Sequence, residues 1–96
     1  MLDREYILKF LKEKKNFLLE NFDVKGIYLF GSFARDEQNQ ESDIDFYVER
    51  TASYDKIFRL KEFLEEAFNR RVDIIRKRPT IRKRLLEEVE KDAIYV

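Results

Sequence analysis

Two aspartates one residue apart, Asp43 and Asp45, give the strongest chemical signal in this chain. They belong to the run Ser42-Asp43-Ile44-Asp45-Phe46-Tyr47-Val48-Glu49, which alternates with period two. A strand of that period sends Ile44, Phe46 and Val48 to one face and Asp43, Asp45 and Tyr47 to the other. Carboxylates two positions apart on a strand lie within about 7 Å of each other. At that distance they repel unless one is protonated or a cation bridges them. A lone Asp-x-Asp also suits an exposed strand face or a turn, so its meaning depends on its surroundings.

Three further groups supply those surroundings. Gly31-Ser32 ends the apolar run Ile27-Tyr28-Leu29-Phe30 and precedes Phe33-Ala34-Arg35, which suits one helical turn. Glycine lets backbone approach a ligand closely, free N–H groups can hold phosphate oxygens, and the serine hydroxyl adds a donor. An ordinary strand-ending turn is the plainer reading. Asp73 lies between Val72 and Ile74 in a third apolar run, where a carboxylate is costly without a partner unless the strand edge faces water. If that strand neighbours the one carrying Asp43 and Asp45, three carboxylates can meet. Such a cluster binds Mg²⁺ and can accept a proton from an attacking hydroxyl. Arg35 is a candidate phosphate contact and equally a solvated or ion-paired arginine.

The elements that must position these groups follow from apolar spacing. Ile7, Phe10, Leu11, Phe17 and Leu18 predict one helix over residues 2–21, with acids at its start and lysines following. Strands are expected at 27–30, 42–49 and 71–76. Ile57, Leu60, Leu64, Ala67 and Phe68 predict a second amphipathic helix over 54–69. Pro79 is placed to open a last helix, with Ile81, Leu85 and Val89 on its apolar side. The tail 93–96 suits a short strand or an apolar hook, and 36–41 a polar loop. This order argues for an α+β (α/β-like) architecture, a small mixed sheet flanked by helices, in one domain spanning 1–96.

Composition narrows the chemistry. There is no cysteine and no histidine, which removes disulfides, thiolates, the commonest general base and the commonest transition-metal ligand. Any metal would be hard and oxygen-seeking. Twenty basic and twenty acidic residues cancel, so no overall field favours nucleic acid or membrane. Without a signal peptide or membrane-length apolar run, a cytoplasmic location is expected. An EF-hand is excluded, because Phe46-Tyr47-Val48 stand where that loop needs a glycine and a further ligand.

Gly31-Ser32-Phe33-Ala34-Arg35, six further residues, then Ser42-Asp43-Ile44-Asp45 resembles the signature of the DNA polymerase beta-like nucleotidyltransferase superfamily. The short length, with Asp73 on a later strand, resembles its minimal nucleotidyltransferases (MNT proteins). The resemblance covers essentially the whole chain and implies the nucleotidyltransferase fold, ATP as substrate and two Mg²⁺ ions. It implies catalytic and metal-binding roles for Asp43, Asp45 and Asp73, and nucleotide-binding roles for Gly31, Ser32, Arg35 and Ser42. It also implies a HEPN-type toxin, a ribonuclease, as hetero-oligomeric partner, adenylylated on a tyrosine hydroxyl by this antitoxin. One position departs: the family usually has glycine where this chain has Asp36, and an acid there would repel triphosphate or alter the loop.

Two alternatives stay open. An antitoxin with a weakened site would act by contact alone, and Asp36 keeps that reading alive. The basic runs Arg76-Lys77-Arg78 and Arg82-Lys83-Arg84 precede the acids Glu87, Glu88, Glu90 and Asp92, opposing the helix dipole. They suit a solvated face, or a surface for triphosphate, RNA or an acidic partner. With zero net charge and no RNA-binding motif, direct nucleic-acid binding is not expected.

Overall fold

The period-two run becomes the centre of a four-stranded sheet. In the computed structural model, which describes residues 2–49, 54–77 and 83–96, the strands are β1 (Gly26–Phe30), β2 (Ile44–Glu49), β3 (Val72–Arg76) and β4 (Ile94–Tyr95). Their order is β3-β2-β1-β4. The β1–β2 and β1–β4 pairs are antiparallel and β2–β3 is parallel, so the sheet is mixed, as expected. A parallel pair needs a long crossover, and here it carries α3 (Tyr54–Phe68). The tail resolves as a strand: Ile94 pairs with Leu29, and the Val96 N–H donates to the Ile27 carbonyl at 3.1 Å.

Burial follows strand parity. Ile27, Leu29, Ile44, Phe46, Val48 and Val72 are buried in the main core with Ile7 and Leu11 of α1 (Arg4–Glu13), Leu18 and Phe22 of α2 (Lys15–Phe22), and Leu60, Leu64 and Phe68 of α3. Each such large apolar side chain contributes about 1.5–3 kcal/mol on burial. The opposite parity forms a smaller cluster in which Phe30 and Tyr47 meet Val89 of α4 (Lys83–Asp92). Helices therefore lie on both faces of the sheet. None of the described helices is long and apolar enough to cross a membrane.

The first helix departs from the expected single span. It divides at Lys14, whose backbone (φ −99°, ψ 6°) leaves the helical range. Residues 12–16 are exposed, and Phe17, though exposed, packs its ring against Phe22 and Phe63, while Ile7 and Leu11 before the bend and Leu18 and Phe22 after it dock onto the core. The first helix starts at Arg4, two residues later than expected, where the Asp3 carboxylate caps the Tyr6 N–H at 2.9 Å. Pro79, Ile81, Arg78 and Arg82 lie outside the described residues, as does the side chain of Leu85. Left-handed positions use Asp23, Asp36 and Asn69, the side-chain types that tolerate φ > 0 most readily.

Candidate active site

The turn after β1 is shaped by contact with β2. Gly31 has φ +78°, and a Cβ there would run into Asp45 Oδ2 and lie 3.1 Å from its Cγ. Glycine is thus required twice, by backbone conformation and by the close approach of the carboxylate. The Arg35 N–H donates to the Gly31 carbonyl at 3.1 Å and the Glu37 N–H to that of Ser32 at 2.9 Å, closing the expected helical turn. Phe33 and Ala34 plug this turn into the core. Asp36 ends it at φ 61°, a conformation glycine adopts freely, and its exposed side chain is not part of the cavity wall described next.

All seven candidate residues line one cavity of about 900 Å³. Sheet register explains why. Asp45 stands opposite Phe30 on one side and beside Asp73 on the parallel neighbour, so Asp45 and Asp73 share a face on strands about 4.8 Å apart. Asp43 immediately precedes β2, an interior strand, with its Oδ1 4.0 Å from the Arg71 Nε. Burial first, then the nearby Asp73 and Asp43, push the Asp45 carboxyl up to about 6, with Arg35 partly opposing them. The three acids share a wall, but among the described residues no three acidic side chains group closely enough to hold an ion by themselves.

Two polar candidates are engaged within the protein. Arg35 Nη1 lies 2.6 Å from Asp92 Oδ2, and its Nε lies 3.2 Å from Glu37 Oε1. Ser42 Oγ accepts the Asn39 N–H at 2.9 Å, anchoring the loop into β2 while the residue lines the cavity. Lys91 and Asp92 of α4 also line the cavity, which sequence spacing did not reveal. The acidic end of α4, unfavourable to its own dipole, has one explanation in the Arg35–Asp92 pair. Of the basic segment, Arg76 sits over the Tyr54 ring at 4.6 Å and Lys77 lies 3.9 Å from Glu49. Lys83 and Arg84 are exposed.

A family model described as Polymerase beta, Nucleotidyltransferase matches residues 12–96. The protein adenylyltransferase MntA of Thermococcus cleftensis is 35% identical, with 100% of this chain and 98% of that protein covered. A solved structure described as a candidate minimal nucleotidyltransferase superposes with TM-score 0.77 at 29% identity, covering 97% of this chain and 95% of that one. A toxin-antitoxin crystal structure with AMP-PNP superposes with TM-score 0.70 at 27% identity, covering 98% of this chain and 72% of that one. With the Gly-Ser turn beside the paired aspartates and a matching model over most of its length, this chain belongs to the polymerase beta nucleotidyltransferase family of enzymes.

Proposed function

We propose that this chain is a Mg²⁺-dependent adenylyltransferase that moves AMP from ATP to a tyrosine hydroxyl of a HEPN-type toxin and so acts as its antitoxin. The observation that carries this reading is the Asp45–Asp73 register beside the Gly31-Ser32 turn, on the wall of one cavity. The cavity volume falls in the usual range for small-molecule sites. The named relative and the neighbour solved with AMP-PNP support the nucleotide and the partner class.

The donor set suits Mg²⁺, being all oxygen. That ion takes one or two carboxylates together with water and substrate phosphates, so Asp43, Asp45 and Asp73 need not close a cage. Burial, and then the neighbouring Asp73 and Asp43, raise the Asp45 carboxyl, and a divalent cation bound there would favour its charged form against both. Bound there, two such ions would balance charge on the α-phosphate and the leaving pyrophosphate. Gly31 and Ser32 offer backbone N–H groups and a hydroxyl to phosphate oxygens. Arg35 reaches phosphate by sharing or releasing Asp92. Asp73, exposed at the cavity edge, accepts the proton of the incoming hydroxyl. The acceptor oxygen then bonds to the α-phosphorus, the bond to the bridging oxygen breaks, and pyrophosphate departs.

Label from α-labelled ATP should pass to the cognate toxin with Mg²⁺, and Asp43→Asn or Asp45→Asn should abolish the transfer. Full labelling by both variants would end the catalytic reading. A contact-only antitoxin is the second reading, favoured by the Arg35–Asp92 pair that already engages the candidate phosphate ligand. Calorimetry with MgATP separates the two, since a contact-only antitoxin shows no binding heat.

A further inference from the structure

Arg70 contacts two parts of the site and lies close in sequence to a third. Its Nη1 donates to the carbonyls of Asn39, Gln40 and Ser42 at 3.2, 3.1 and 3.0 Å. Its guanidinium lies 5.3 Å from the ring centroid of Phe33, the fully buried plug of the Gly31-Ser32 turn. Three residues further along the chain stands Asp73. The surrounding backbone holds Arg70 in place. Asn69 turns left-handed at φ 50°, the Arg70 N–H donates to the Glu65 carbonyl at 3.3 Å, and the Val72 N–H donates to Glu65 Oε2 at 3.0 Å.

Among the described residues, the other hydrogen bonds of the loop it grips are local. The Ser42 N–H donates to the Asn39 carbonyl at 3.2 Å, the Asn39 N–H to Ser42 Oγ, and the Glu41 N–H to Asn39 Oδ1 at 2.8 Å. Those bonds shape the loop internally, whereas Arg70 fastens it to the rest of the molecule. A charged donor makes stronger hydrogen bonds than a neutral one, and a guanidinium can also stack on an aromatic face.

We propose that Arg70 is a positioning residue that clamps the 39–42 loop against the Phe33 turn and the β3 entrance, thereby fixing Asp43 beside Asp45 and Asp73. The inference deepens the proposed function and rests on it only for its catalytic consequence. The test compares the full-length chain with Arg70→Ala and Arg70→Lys by hydrogen exchange and by direct Mn²⁺ titration without nucleotide. In Arg70→Ala the amides of Asn39, Glu41 and Ser42 exchange about tenfold faster and Mn²⁺ affinity falls about tenfold, the loss expected from one charge-assisted hydrogen bond, while β1 and α1 amides keep their rates. Arg70→Lys, whose ammonium can reach the same carbonyls, lies between the two. Unchanged loop exchange and Mn²⁺ affinity would overturn the proposal, as would faster exchange throughout the molecule in both variants. A wild-type protein that transfers no label, with the Arg70 variants still showing these local changes, would count against the catalytic reading and leave the clamp standing.

Discussion

The two faces of the sheet are built from the same strands and do opposite work. On one face Ile44, Phe46, Val48 and Val72 are wholly buried beneath α1, α2 and α3. On the other, Phe30 and Tyr47 pack with Val89 of α4, and the same face carries Asp45 and Asp73 to the cavity wall. Neighbouring residues of β2 therefore answer to different demands: Ile44 and Phe46 to packing, Asp45 between them to chemistry. The difference teaches that stability and reactivity are separated here by parity along a strand, not by distance through the molecule. A slip of one residue in register would exchange the two sets.

That separation can be broken from either side. Phe46→Ala, on the packed face, should cost about 3–5 kcal/mol of unfolding free energy in a denaturant titration. Any activity lost should follow the folded fraction. A cost near zero would mean that the packed face is not the one holding the fold.

Asp45→Asn, on the adjacent position, should do the reverse. The folded Asp45 carboxyl titrates at about 6, above its ordinary value of 3.8. Between those pH values the unfolded chain binds fewer protons than the folded one, so wild-type stability falls as pH rises through this window. The amide has no proton to lose. Its advantage should be absent near pH 4, grow toward pH 6 and level off above it. Asp45 is half-buried, so solvent reduces the effect, and a melting-point gain of about 2–5 °C at neutral pH is expected without metal. A variant no more stable than wild type at neutral pH would show that crowding of the carboxylates carries no cost.

Asp36→Gly sharpens the comparison at its smallest scale. Relief of the left-handed strain, set against the freedom glycine gains in the unfolded chain, should leave about 0.5 kcal/mol of added stability. Because Asp36 does not line the cavity, MgATP affinity should not change. A rise in affinity would instead make the acid a brake on nucleotide binding.

Much of the candidate site's geometry was legible because its signals are local. Alternation from Ser42 to Glu49 assigned faces correctly, and the Gly31-Ser32 turn marked the end of β1 where the structure ends it. The residues that escaped notice act at long range. Arg70 belongs to no motif or basic run of the sequence, and its three carbonyl partners lie 28 to 31 residues away. Asp92 looked like a misplaced acid at a helix end, and its partner Arg35 is 57 residues distant. The bend at Lys14 was hidden too, since apolar spacing on either side suits one unbroken helix.

What the sequence alone determined is which side chains share a face of a strand or helix, because backbone geometry repeats every two or 3.6 residues whatever surrounds it. The tertiary structure decided which strands became neighbours, and so set Asp73 beside Asp45 and brought α4 over the far face. The physical reason is that hydrogen-bonded pairing and apolar burial act between any segments that meet in space. No local period records which segments those will be.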